Sequence, residues 1–326
     1  MRYPTVLVIG GSGFVGSSLV AQLSNAGHVV VVPTRNRERA KALITLPTVD
    51  VVEADVHDDA VLRGLMQDVD AVVNLVGILH SRAGAAGTPY GPDFERAHVE
   101  LPKRIVAACV ASGVSRYLHM SALGADVSGP SMYLRSKAAG ELVARSEPSL
   151  KTTIFRPSVV FGAGDHFLNM FASMQRILPL VPLGGAEAKF QPIHVEDVAR
   201  AFVNALACEQ TIGRTYELAG PMVYSLRQLV QLAGLYAGYP RPVIGLPPSL
   251  ARLQALLLEY APFGPIMSRD NLASMQVDNV AKGGTTSPIA PELGITPVAL
   301  EAIAPQYLSG RFPRARYDDY RASAHR

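Results

Sequence analysis

Tyr133 and Lys137 stand four residues apart in SMYLRSKAAGELVARS, and Ser121 precedes the tyrosine by twelve residues in HMSALG. On a helix, residues i and i+4 share a face, so the phenol and the ammonium would point the same way. A free tyrosine has a pKa of about 10, too high for a base at neutral pH. A neighbouring ammonium favours the phenolate and lowers that value. The expected chemistry is a proton passed between Tyr133 and a substrate oxygen, with Ser121 polarising the same oxygen. A tyrosine and a lysine at this spacing are common by chance, and two ordinary helix residues remain the alternative. A serine at the end of a strand, twelve residues earlier, makes the pattern more specific.

The strongest local signal lies at the other end of the chain, in TVLVIGGSGFVGSSLVAQLSNAGHVVVV. Gly10, Gly13 and Gly16 follow a strand pattern and open a helix pattern. Unpaired N–H groups and the helix dipole favour phosphate at such a place. Gly10 permits the tight turn, Gly13 lets the backbone approach a pyrophosphate, and Gly16 lets helix and strand pack closely. With Phe14 and Val15 these glycines are the candidate pyrophosphate-binding positions of a dinucleotide site; a plain strand–turn–helix is the alternative. In that setting Lys137 could hydrogen-bond the nicotinamide ribose.

The end of the second strand bears on which dinucleotide. An NAD site usually places a carboxylate there to hold the ribose 2′-hydroxyl. Here the place falls near Thr34 and is followed by RNRER, with no carboxylate before Glu38. A 2′-phosphate would be paired by arginine and repelled by aspartate. The reading is NADP(H) in preference to NAD(H), with Thr34, Arg35 and Arg39 near the phosphate; a solvated helix face is the alternative. Asp55 and Val56, ending the third strand, are candidates for the adenine. Leu75, Val76 and Gly77, ending the fourth, are candidates for the ribose and phosphates.

These residues need elements to hold them. Strand patterns fall at 5–9, 29–32, 49–53, 71–75, 116–120 and 152–155, with helix patterns between them at 14–25, 38–45, 58–67, 94–112 and 131–145. Apolar strands with little alternation are buried on both faces. Their alternation with helices implies right-handed βαβ units. The expected fold class is α/β, a doubly wound parallel (Rossmann) sheet with a smaller, mostly helical C-terminal lobe. Glycine and proline become frequent after Pro157, and helix patterns continue at 166–177, 195–207, 226–236, 249–260 and 269–277. The expected division is a dinucleotide-binding domain over 1–160 with a return segment near 188–220. The lobe would comprise 161–187 and 221–310, followed by a basic tail over 311–326.

Composition narrows the classes. The 326 residues are 48% hydrophobic and 17% charged, against about 25% charged in an average chain, which implies a sizeable core. A net charge of +3 argues against nucleic acid as the main partner. Cys109 and Cys208 have no CxxC partner, which fits a reducing compartment and excludes a cysteine-based zinc or iron–sulfur site. Eight scattered histidines with no HExxH give no metal site, and His194 reads as structural. TVLVI is only five residues long before GGSG, and a spanning helix needs about 20 apolar residues. The expectation is therefore no transmembrane segment and a cytoplasmic protein, at most peripheral to an inner membrane.

The GxxGxxG spacing, with Ser121, Tyr133 and Lys137, resembles the short-chain dehydrogenase/reductase superfamily, in particular its extended and atypical branches. The three residues fall where such enzymes carry their catalytic serine, tyrosine and lysine. FRPSVVFGAGD (155–165) resembles the segment after the sixth strand, and the resemblance puts Pro157, Ser158 and Val159 along the nicotinamide. FQPIHVEDVARA (190–201) and YELAGP (216–221) resemble the segments that return to the sheet; Asp197 could equally cap or salt-bridge a helix. One departure is AHVELPKR, where His98 stands in place of an asparagine that helps a proton relay. His98 could substitute for it or break the relay.

GGSGFVG, MSALGAD, YLRSKAAGE, FRPSVVFGAGDHFLNMF and FQPIHVEDVA together are similar to one atypical group. It comprises the nucleotide-binding alpha-subcomplex subunit nine of respiratory complex I and its bacterial relatives. That resemblance implies NADP(H), a quinone-linked setting and an accessory or assembly role, with a respiratory complex or a membrane surface as partner. The alternative is an active NADP(H)-dependent oxidoreductase or epimerase acting through Tyr133 and Lys137 on a carbonyl or quinone-like small molecule. The apolar stretch 245–267 reads either as a packed lobe helix or as a lid or membrane-facing patch. The tail, with five arginines and two aspartates, reads as a solvated tail or as a docking strip for an acidic partner or lipid surface.

Overall fold

β-branched runs without polar alternation form strands covered on both faces, and here they assemble into one seven-stranded sheet. The computed structural model describes residues 3–85, 87–260 and 267–309. The strands are β1 (Thr5–Ile9), β2 (Val29–Thr34), β3 (Val49–Glu53), β4 (Ala71–Asn74), β5 (Arg116–Met120), β6 (Lys151–Pro157) and β7 (Thr215–Leu218). Their order is β7-β6-β5-β4-β1-β2-β3, and every pairing is parallel. The chain runs outward from β1 to β3, then returns to the other side of β1 with β4. The strand order therefore reverses between β1 and β4, and ligands of such sheets bind at that point, beyond the carboxyl ends of the strands.

Register brings the candidate residues to that edge. Ile9 pairs with Asn74, Asn74 with His119, and Met120 with Phe155. Gly10, Leu75–Gly77, Ser121 and Ser158 each follow the end of one of these strands, so they share one rim of the sheet.

Two hydrophobic clusters cover the faces. The Phe14–Asn25 and Val195–Ala207 helices close one side through Leu19, Leu23, Val198 and Phe202. The Leu101–Ser112 helix and Leu62 close the other, with Ile105, Cys109 and Ala144. A third cluster is built from the Phe167–Ile177, Leu226–Ala237 and Leu300–Leu308 helices.

Differences from the sequence expectation are local. The 94–112 pattern divides into a short turn, a π-helical stretch over Glu95–Glu100 and the Leu101–Ser112 helix. Pro102 has no N–H for the carbonyl of His98 four residues earlier. Gly140 packs against that carbonyl instead: a Cβ there would stand 2.2 Å from His98 O. The 38–45 pattern becomes a 3₁₀ turn, Arg37–Ala40, capped by Asn36, and then Lys41–Ile44. The 269–277 pattern shortens to Arg269–Ser274. The Leu300–Leu308 helix, with Pro305 inside it, was not among the expected helices.

The Pro248–Glu259 helix packs through small residues and turns large ones outward. Its buried residues are Ala251 and Ala255, while Leu250, Leu253 and Leu257 are 50%, 51% and 67% exposed. Residues 261–266 and the basic tail lie outside the described residues. Among the described residues, no helix is long and apolar enough to cross a membrane.

Candidate functional site

The turn after β1 is shaped by what it excludes. Gly10 has φ +86°, a region L side chains rarely enter, and a Cβ at Gly16 would lie 2.2 Å from the Gly10 carbonyl. Helix and turn are thus in backbone contact, and the N–H groups at the start of the Phe14–Asn25 helix, behind Gly13 as N-cap, stay uncovered by side chains. Gly11 belongs to the same constraint: a Cβ would come within 2.9 Å of Val32. The sequence reading missed it, although its identity within GGSG was the available signal. A Cβ at Gly10 would meet the backbone of Leu75 and Val76 at 3.3 Å, so the turn and the end of β4 are neighbours, as the dinucleotide reading requires. Phe14 reaches across to Gly162, where an added Cβ would stand 3.5 Å from its ring, and Val15 is buried in the sheet core.

At the end of β2, Thr34 is buried, and its hydroxyl lies 3.4 Å from that of Ser12 in the turn. The hydroxyl also holds the following turn through Asn36, donating to its carbonyl at 3.0 Å. Arg35 and Arg39 are exposed and, among the described residues, make no side-chain hydrogen bond or ion pair. Glu38 is taken by Lys41. Asp55 accepts from the His57 N–H at 3.0 Å, and Val56 packs on the sheet. Burial, then the charges of Arg96, Arg104 and Arg35, hold the His57 imidazole below its usual pKa, against the pull of Asp55.

Beyond β4 and β5 the candidate chemistry converges. Lys137 is buried, and its Nζ donates to the carbonyl of Met120 at 2.8 Å, the residue before Ser121. A Cβ at Gly77 would stand 3.6 Å from Lys137 Nζ and 3.9 Å from His98 Nε2. The Ser121 N–H donates to Phe155 O at 2.7 Å, whereas its buried Oγ has no partner among the described residues. A buried hydroxyl with no partner, beside a buried ammonium and behind a turn that excludes Cβ atoms, fits the polar end of a bound dinucleotide. When bound, such a cofactor supplies hydride chemistry.

Protonation differs from the sequence expectation. The Tyr133 phenol is pushed up to about 12 by burial, not lowered by Lys137. Burial also brings the Lys137 ammonium down to about 8. Removing water penalises both charged forms, and at Lys137 it outweighs the opposing pull of Glu141. At neutral pH the Tyr133 phenol keeps its proton.

His98 is buried and neutral. Its pKa falls to about 2 through burial, then the charges of Lys137 and His119. Its Nε2 must accept, because it faces the Ile78 N–H at 3.1 Å. Ser136 Oγ donates to Tyr133 O, so His98 Nδ1 donates to Ser136 at 2.8 Å. Both nitrogens are thus committed, and the ring stacks on Phe94 and meets Tyr133 edge-on. His98 fixes the loop after β4 to the Tyr133 helix.

The 157–159 segment joins β6 to a C-terminal stretch. Pro157 O accepts from Leu123 N, which brings it beside Ser121. The Ser158 hydroxyl donates to Asn279 Oδ1 at 2.6 Å, and Val159 N donates to the same atom at 3.3 Å. Ser158 is therefore engaged by the protein itself. Asp197 is buried and accepts from the Val298 N–H at 2.8 Å, so it ties the chain. Among the described residues no group of three or more His, Cys, Asp or Glu is arranged to hold a metal. A shallow cavity lined by Tyr224, Gln228, Leu232, Arg241 and Glu301 shares no residue with this site.

A parallel sheet with a side-chain-free turn at its switch point, backed by a buried serine and lysine and a half-buried tyrosine, defines a dinucleotide-binding protein of Rossmann type. The chain belongs to the NAD dependent epimerase/dehydratase family, whose model matches residues 6–219. Within it, the chain is 32% identical to the mitochondrial NADH dehydrogenase (ubiquinone) 1 alpha subcomplex subunit 9 of Mus musculus. That match covers 90% of this chain and 77% of the mouse protein. It is 29% identical to the mitochondrial NADH-ubiquinone oxidoreductase 40 kDa subunit of Neurospora crassa, covering 96% of this chain and 81% of that one. The epimerase Mth375 of Methanothermobacter thermautotrophicus shares the fold, with a TM-score of 0.71 and 18% identity, over 98% of this chain and 94% of that one.

Proposed function

We propose that this protein holds NADP(H), in preference to NAD(H), and serves as an accessory or assembly protein for a respiratory complex in a quinone-linked setting. The end of β2 carries the cofactor choice. There the buried Thr34 lies beside the glycine turn, Arg35 and Arg39 are exposed and unpaired among the described residues, and the next carboxylate along the chain, Glu38, is taken by Lys41. A bidentate guanidinium suits a 2′-phosphate, whereas an NAD site needs an acceptor for the hydroxyl. The accessory role is supported by the likeness to complex I subunits and by His98, whose nitrogens are both engaged by the protein. In this reading residues 1–160 with 188–220 hold the nucleotide. The smaller lobe, 161–187 and 221–310, meets the partner or membrane surface, on the cytoplasmic side of an inner membrane.

The buried, unpartnered Ser121 hydroxyl favours a second reading: turnover of a carbonyl or quinone-like substrate with Tyr133 as acid. Titration calorimetry with NADPH and NADH tests the first reading; equal affinities would defeat the cofactor choice. Loss of NADPH absorbance with short-chain quinones and aldehydes tests the second. Turnover abolished in Tyr133→Phe with NADPH binding retained establishes an enzyme. No turnover with any acceptor, together with co-purification with a respiratory complex, establishes the accessory role.

A further inference from the structure

The helix that carries Tyr133 and Lys137, Met132–Ala144, is capped by its own N-cap residue and from a distant part of the chain. Its own N-cap, Ser131, accepts the Leu134 N–H at 3.1 Å. The two N–H groups before it are taken by one carboxylate from 138 and 137 residues downstream: Asp270 Oδ1 accepts from Met132 at 2.6 Å, and Oδ2 from Tyr133 at 3.0 Å. Ser274 Oγ lies 2.8 Å from Ser131 Oγ. The first N–H groups of a helix have no partner within it, and a carboxylate there gains from both charge-assisted hydrogen bonds and the helix dipole.

The short Arg269–Ser274 helix that presents Asp270 is itself braced. Ser268 and Asn271 cap it reciprocally. Arg269 pairs with Glu259 at 2.9 Å, and Asn271 Nδ2 reaches Leu79 O, in the loop after β4, at 3.4 Å. Asp270 is thus held between the loop that follows Gly77 and the start of the Tyr133 helix.

We propose that Asp270 is a positioning residue for the Tyr133–Lys137 pair. The two side chains lie one helical turn apart, so a shift at the helix start moves phenol and ammonium together relative to Ser121 and Gly77. The C-terminal part of the chain, through one carboxylate, sets the grip on the nicotinamide half of the cofactor. The glycine turn and the β2 end hold the adenine half without it. This inference rests on the reading of Lys137 as the ribose contact.

The test compares two ligands of the full-length protein. NADPH reaches both halves of the site, and adenosine 2′,5′-bisphosphate reaches only the adenine half. Asp270→Ala should weaken NADPH roughly fivefold to tenfold, as expected for removal of a helix cap, and leave the bisphosphate within about twofold. Asp270→Asn, which is isosteric and keeps one accepting oxygen, should fall between. The fluorescence of bound NADPH, which reports the nicotinamide surroundings, should move toward that of free NADPH in both variants. Ser225→Ala, a cap loss on the Leu226–Ala237 helix, controls for stability alone. Unchanged NADPH affinity in both Asp270 variants, or equal loss for both ligands, overturns the proposal. If wild type binds NADPH no tighter than the bisphosphate and Lys137→Met changes nothing, the Lys137 grip itself is wrong and the proposal falls with it.

Discussion

Lys137 Nζ donates to the carbonyl of Met120 across 2.8 Å, which fixes the ammonium at the carboxyl end of β5, next to Ser121. The bond accounts for a buried lysine at that position: a charged group away from water needs a polar partner. It also brings a cation to the rim on which the glycine turn and the end of β4 meet.

That burial has a pH signature. The Lys137 pKa lies near 8 in the folded protein and near 10.4 in an unfolded chain. Between those values the unfolded state binds more protons, so stability rises with pH across the window. The cost of the buried charge is present below about pH 8 and gone above about pH 10.4. Relative to Lys137→Met, wild type should gain roughly 2–3 kcal/mol of unfolding free energy between about pH 7.5 and 10.5. Urea denaturation at each pH measures it, and a flat difference would show that the ammonium is not desolvated.

Gly16→Ala should strike fold and binding together. The new methyl would sit 2.2 Å from a backbone oxygen, which no rotamer change relieves. We expect a loss of about 2–3 kcal/mol in a thermal or urea melt, with NADPH affinity falling below detection by calorimetry. A variant with wild-type affinity would mean that the turn does not hold the diphosphate.

Arg35→Ala combined with Arg39→Ala should separate the two coenzymes. Both arginines are exposed and unpaired among the described residues, so the protein itself should keep its stability within about 0.5 kcal/mol. NADPH affinity should fall roughly tenfold while NADH is unaffected. Parallel losses for both coenzymes would assign the arginines a general electrostatic role.

His98→Ala should destabilise by an amount that depends on pH. It leaves the Ile78 N–H without its acceptor and opens a space between Phe94 and Tyr133. The expected cost is about 3 kcal/mol. With a folded pKa near 2, His98 stays neutral in the native state, whereas the unfolded histidine protonates near pH 6.5. Wild-type stability relative to His98→Ala should therefore be full above pH 7 and shrink as pH falls below about 6.5. A difference that held constant from pH 8 to 5 would contradict a buried neutral imidazole.

Much of the frame was legible from the residues. β1, β3 and β5 and the Phe14–Asn25 and Val195–Ala207 helices have the expected bounds, because unbroken β-branched runs, amphipathic spacing and the glycine turn act over a few neighbours. The Tyr133 helix, expected over 131–145, is found over Met132–Ala144. The π-helical stretch and the Leu300–Leu308 helix were not legible. The first depends on how Gly140 meets the His98 carbonyl, and the second on a face buried against the Phe167–Ile177 and Leu226–Ala237 helices. Asn279 gave no signal either, although it joins Ser158, Val159 and Gln191.

From its order of residues alone, this chain dictates a parallel sheet, a turn open to phosphate and a tyrosine and lysine on one helical face, since each arises from contacts between near neighbours. Tertiary packing alone decided that Asp270 caps that helix, that His98 has neither nitrogen free, and that Tyr133 and Lys137 shift as desolvation dictates. Caps, desolvation and ion fields depend on which atoms surround a group in space, and those atoms come from other segments of the chain, in the case of the Asp270 cap from 138 residues away.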